Sequence, residues 1–86
     1  MPEVKVRLRF FASLREALGA ESVVDMPDGS RVGDVRDQLI ARGAPFDAAL
    51  ARGRALRAAL NQAVCDEAAA LADGDELAFF PPVTGG

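Results

Sequence analysis

Eighty-six residues, half of them hydrophobic, make one small domain with enough apolar material to close a single core without a metal or a disulfide. Thirteen acidic residues against ten basic ones give a formal net charge of −3, with the acids spread along the chain, which argues against nucleic acid as a partner. With no histidine and one cysteine, a His-based acid–base pair, a Ser-His triad, a Cys-His pair and a zinc cluster all lack their parts, so the chain is not expected to catalyse alone.

The first element reads without ambiguity. Val4, Val6, Leu8 and Phe10 alternate with Glu3, Lys5, Arg7 and Arg9, the period of a half-buried strand over residues 3 to 10. Ala12 to Leu18 supplies a short helix stopped at Gly19, and Ser22 to Met26 a second strand, paired antiparallel with the first. After the break at Pro27-Asp28-Gly29, Ser30 is the expected cap of a helix whose Val32, Val35, Leu39 and Ile40 recur at helical spacing, ending at Gly43. Phe46, Ala49 and Leu50 suit a short helical piece finishing near Gly53.

From Ala55 to Val64 alanine favours helix, while Leu56, Ala58 and Leu60 alternate as in a strand; strand is the reading adopted. Asn61-Gln62 then falls at a turn, Val64 on a short strand, and Asp73-Gly74-Asp75 at a tight turn into the strand Glu76 to Phe80. Pro81-Pro82 ends that strand because neither residue has an amide hydrogen for a ladder. Strand, strand, helix, strand, short strand, strand, with the last strand parallel beside the first, gives an α+β fold: one mixed sheet packed on one main helix, the β-grasp arrangement. Residues 1–82 are read as this domain and 83–86 as a flexible tail.

The sequence closes with Val83-Thr84-Gly85-Gly86. An α-carboxylate on Gly86 is a poor acyl donor until it is made into an anhydride, as adenylation by ATP does, and glycine leaves that carbonyl unhindered. Two residues without Cβ atoms can thread a narrow channel, while Pro81-Pro82 stiffens the base of the tail. A terminal Gly-Gly alone is equally what a disordered end looks like, so its context decides. That context, Asp73-Gly74-Asp75-Glu76-Leu77-Ala78-Phe79-Phe80-Pro81-Pro82-Val83-Thr84-Gly85-Gly86, resembles the end of the small, sulfur-carrier subunit of molybdopterin synthase (the MoaD family). Phe10-Phe11-Ala12 followed by Arg15-Glu16, and later Leu60-Asn61-Gln62, also match, whereas Pro27 to Gly53 matches in pattern alone.

The resemblance implies a ubiquitin-like β-grasp fold and a carrier function. In that family an ATP-dependent activating enzyme adenylates the terminal glycine, and sulfur transfer makes it a thiocarboxylate. The large synthase subunit then receives the tail and passes sulfur to cyclic pyranopterin monophosphate, in molybdenum cofactor biosynthesis. By this carry-over Gly86 holds the sulfur, Gly85 threads the channel, and Phe80, Phe11 and Val64 face the partner, with Arg15 at the rim. No cofactor is expected on the chain itself, ATP being used by the activating enzyme, and the assembly implied is a heterotetramer with two copies of each subunit. A sulfur carrier for another product of the thiamin thiazole type and a ubiquitin-like protein modifier share the tail logic, although with Lys5 as its one lysine the chain is poorly suited to self-linked polymers.

Cys65, with no histidine or basic neighbour and followed by Asp66-Glu67, is expected to be an inert small residue with a raised pKa. Asp73 to Glu76 is read as a solvated turn and not a cation site, and Arg7 and Arg9 as surface charges. The lone cysteine, a start unlike a signal peptide and the lack of any run near the ~18 apolar residues of a membrane span point to a soluble, cytoplasmic protein.

Overall fold

The structure, a computed structural model, describes residues 2–82. Its first strand, β1 (Glu3–Phe10), has the expected bounds, and its alternation separates two environments: Val4, Val6, Leu8 and Phe10 are buried, while Lys5, Arg7 and Arg9 face outward. A short helix α1 (Ser13–Leu18) leads into β2 (Glu21–Pro27), antiparallel to β1 with Val6 opposite Val24 and Val4 opposite Met26, so buried positions meet buried ones. The main helix α2 (Val32–Ala41) and the single turn α3 (Phe46–Ala49) precede β3 (Arg57–Leu60), β4 (Ala63–Cys65) and β5 (Glu76–Phe80). The segment 55–64 thus holds strand and no helix, β3 and the start of β4 on either side of a turn at Asn61-Gln62, with β3 starting at Arg57, one residue after the alternation begins at Leu56.

The five strands lie in the order β2-β1-β5-β3-β4. β5 runs parallel to β1, with Leu8 beside Leu77 and Phe10 beside Phe79, and antiparallel to β3 on its other side. A parallel pair needs a crossover, and everything between β1 and β5 supplies it. This is the β-grasp, with α2 laid over the sheet's inner face: Val32, Val35 and Leu39 are fully buried against Val6, Leu8 and Leu77 in one core. Phe10 and Phe79 stack at 6.3 Å between centroids at the end of that core. Each fully buried aromatic or leucine is worth roughly 1.5–3 kcal/mol relative to exposure.

The start of α2 differs from the sequence expectation. Ser30 is not its cap; the Ser30 hydroxyl donates to the carbonyl of Pro27 at 2.7 Å, and Arg31 takes the N-cap position, its N–H accepted by Asp34 at 2.8 Å. The helix's free N–H groups are met from a distance instead. Val32 donates to the carbonyl of Ala69 at 3.0 Å and Gly33 to that of Glu67 at 2.9 Å, both in the long connection from β4 to β5. A serine cap is redundant where a passing strand of backbone already satisfies the helix end.

The turn into β5 is closed by its own carboxylates. Asp73 accepts the Lys5 N–H and Asp75 the Ala72 N–H, each at 2.8 Å, while Gly74 takes a φ of +87°. Those oxygens serve backbone donors, and among the described residues no group of three or more His, Cys, Asp or Glu gathers to hold a metal. No helix among the described residues is long and apolar enough to cross a membrane.

Candidate functional site: the outward face and the end of β5

β1 ends at Phe10 with Phe11 the next residue, β5 ends in Phe79-Phe80, and because the strands are parallel with Phe10 beside Phe79 the two pairs lie side by side. Phe10 and Phe79 point into the core; the Phe11 N–H donates to the Phe79 carbonyl at 3.2 Å, which carries the alternation one step further and leaves Phe11 and Phe80 on the outward side. Phe11 is 39% exposed, whereas Phe80 is half-buried, because β5 is the middle strand with neighbours on both flanks. Arg57 of β3 lies opposite Phe80. From Phe80 the chain continues into the half-buried Pro81 and Pro82. Gly85 and Gly86, the residues expected to thread and to carry the acyl group, lie outside the described residues.

Chain geometry sharpens this corner. Ala12 has φ +56° and ψ −132°, a conformation disfavoured for a residue with a Cβ, and it turns the chain from β1 into α1 directly behind Phe11. Across the outward face Ala78 pairs with Ala59 and Ala59 with Val64. The alanines form a low floor, and Val64, 63% exposed, stands at its far edge. Of the four residues expected at a partner surface, Phe11, Phe80 and Val64 therefore share one face. Arg15 stands apart on α1, exposed and with no ion pair among the described residues.

Sequence reasoning missed a buried cation. Arg36 on α2 is 4% exposed, and its guanidinium donates from Nε to the Leu50 carbonyl at 2.7 Å and from Nη2 to the carbonyls of Ala51 at 2.6 Å and Arg54 at 3.1 Å. Nη1 reaches Glu67 at 2.7 Å, and Glu67 also takes Arg52, which pairs with Asp37. This one side chain fastens to the helix both the segment that leads into β3 and the segment that leaves β4, and so fixes the half of the sheet bearing Val64 and Arg57. The signal was present: Arg36 falls one step after Val35 within the apolar stripe Val32, Val35, Leu39.

Burial drives the Glu67 carboxyl upward, but the hydrogen bonds and charge of Arg52 and Arg36 together outweigh it and hold the group below the usual glutamate range. Cys65 is raised, first by burial and then by Asp66, against a smaller lowering from a backbone hydrogen bond to Leu60. Glu67, expected to act on the thiol, is engaged by the arginines instead. Cys65 sits in the wall of an open hollow of about 580 Å³ floored by Ala58 and Phe79.

The match to known proteins spans this whole arrangement. The model of the ThiS family fits residues 8–86. The chain belongs to the ThiS family. Within it, this ThiS-family chain is 40% identical over 77 residues to the molybdopterin synthase sulfur carrier subunit of Haemophilus influenzae, covering 90% of this chain and 94% of the relative. It is also 39% identical over 84 residues to small archaeal modifier protein 1 of Haloferax volcanii, covering 91% and 97%. A Haloferax volcanii protein solved in solution superposes with a TM-score of 0.79 at 33% identity over 98% of this ThiS-family chain and 88% of its own.

Proposed function

We propose that this chain is the sulfur carrier subunit of a molybdopterin synthase, with the carboxyl group of Gly86 as the group that carries sulfur. The observation that carries this reading is the end of β5: Phe80 and Phe11 side by side on an outward face, from which the chain passes through Pro81-Pro82 toward Gly85-Gly86. Its 40% identity to the Haemophilus influenzae sulfur carrier subunit over nearly the full length supports it.

In this mechanism the Gly86 carboxylate attacks the α-phosphorus of ATP on an activating enzyme and releases pyrophosphate. A sulfur nucleophile then displaces AMP to leave the thiocarboxylate, a soft sulfur donor that needs none of this chain's side chains. The folded domain supplies a rigid handle. Phe80, Phe11 and Val64 dock the large subunit, which assembles with this chain as two copies of each, Arg15 contributes at the rim, and Gly85 lets the tail enter a narrow channel. The chain holds no cofactor of its own and works in the cytoplasm.

The test is a reconstituted assay with the activating enzyme, a sulfur source, the large subunit and the pterin precursor. Intact mass after activation should show one terminal oxygen replaced by sulfur. Deletion of Gly86 should abolish product with an unchanged melting temperature, and Gly85→Ala should lower product formation more than it lowers stability. Product formation from the Gly86 deletion would refute the carrier role. A modifier reading draws only on the likeness to small archaeal modifier protein 1; it requires Gly86 in isopeptide linkage to lysines of other proteins, which peptide mass spectrometry of cell extracts detects.

A further inference from the structure

The outward face is more than an apolar patch. Arg7 and Arg9 of β1 and Arg57 of β3 stand around the alanine floor, at register positions beside Glu76, Ala78 and Phe80 respectively. Arg9 is stacked over the Phe11 ring, 5.2 Å from its centroid, and reaches Glu76 at 4.0 Å, the outer limit of an ion pair. Arg7 and Arg57 are exposed and form no ion pair among the described residues. Of the remaining cations Lys5 pairs with Asp25, Arg36 with Glu67, and Arg52 with Asp37 and Glu67, while Arg15, Arg31, Arg42 and Arg54 form no ion pair among the described residues and lie away from this face. On the face that carries Phe11, Phe80 and Val64, Arg7, Arg9 and Arg57 thus flank the alanine floor with Glu76 between them, while the acids Glu21 and Asp25 stand on the outer strand β2, opposite Arg9 and Lys5.

We infer that the large subunit docking here presents carboxylates around an apolar centre, matched to Arg7, Arg9 and Arg57, and that these arginines select and orient it. The inference rests on the proposed function for the identity of the occupant. Its physics is the usual anatomy of a recognition surface, an apolar middle with a charged rim in which arginine is favoured. For a chain of net negative charge, a local positive rim supplies the attraction that the molecule as a whole lacks, and rim charges act mainly on association rate and its salt dependence. Arg9 is pre-positioned by its stacking on Phe11, so it enters the contact already ordered.

The experiment measures association kinetics between this chain and the large subunit encoded in the same genome, at about 50 mM and about 500 mM salt, where screening differs severalfold. Arg7→Glu and Arg57→Glu should each slow association by about tenfold at low salt, shrinking to about threefold or less at high salt. Arg57→Gln should give a smaller loss in the same direction. Arg42→Glu, an equal charge change at the end of α2, should behave as wild type, and melting curves should confirm that each variant is folded. If the Arg7 and Arg57 variants associate like wild type at low salt, or Arg42→Glu slows association as much as they do, the inference is overturned. Should Phe80→Ala still weaken binding at both salt concentrations in that case, the carrier reading stands and the charged rim alone is wrong; if wild type does not bind the large subunit, both fall.

Discussion

The two sides of one sheet differ in almost everything except their strands. On the inner side of β1 and β5, Val6, Leu8, Phe10, Leu77 and Phe79 are 1% exposed or less, sealed by α2. On the outer side the alternate residues are Arg7, Arg9, Phe11, Glu76, Ala78 and Phe80, charged and apolar mixed, with no layer above them among the described residues. Stability needs an apolar face that is covered, and the inner side meets that need in full. An apolar residue left on the outer side is available for a partner, and the contrast separates what makes the domain fold from what makes it useful.

The sharpest way to break that contrast uses two adjacent residues of β5. Phe79→Ala should destabilise the domain by about 3–5 kcal/mol, since it empties the stacked end of the core. Chemical denaturation measures this directly, and a loss below ~1 kcal/mol would show that the inner face is not where the stability lies. Next in size is Arg36→Met, which keeps the aliphatic bulk but leaves the carbonyls of Leu50 and Arg54 without their side-chain donor and reduces Ala51 to the Arg54 N–H and Glu67 to Arg52. About 2–4 kcal/mol of stability should be lost. Hydrogen exchange should show the losses concentrated in residues 50–58 and 63–69, because the inner face under β1 and β2 does not depend on that clamp.

Phe80→Ala tests the other side. It should leave the melting temperature nearly unchanged and weaken binding of the large subunit by about 1–4 kcal/mol, as for a buried anchor at an interface. Calorimetry finding the reverse, unfolding without loss of affinity, would move Phe80 to the core. The smallest effect belongs to Glu67. Its pKa is lowered in the folded state, so its contribution is fully present above the ordinary glutamate pKa and is lost as the pH falls through the lowered folded value. The stability gap between wild type and Glu67→Gln should therefore be constant near neutrality and close at acid pH, read from melting curves across a pH series.

Alternation made β1 legible residue by residue, and the Asp73-Gly74-Asp75 turn announced β5, because both signals are local. Ser30 misled for the same reason: a local cap was expected, whereas the start of α2 is satisfied by carbonyls of Glu67 and Ala69 more than thirty residues away. The strand at 57–60 was recognisable in type and not in length, since alanines carry little pattern and the ladder to β5 sets its ends. At the candidate site, Phe11, Phe80 and Val64 could be placed on one face by counting along strands. The arginine rim could not, because Arg7 and Arg9 lie nearly fifty residues from Arg57 in sequence and meet through the central position of β5.

That central position also constrains when the domain can exist. β5 is hydrogen-bonded on one edge to the first strand and on the other to β3, so a chain emerging from the ribosome has synthesised four strands and all three helices before the piece that joins them appears. Contacts of such long sequence separation are slow to form and arrive together. A product cut short before Glu76 lacks the strand between β1 and β3 and exposes apolar surface around Phe10 and Leu8 together with two unpaired strand edges, the features that make a chain prone to aggregate. A chain that has acquired this structure has therefore been translated at least through β5, the strand that leads into Pro81-Pro82.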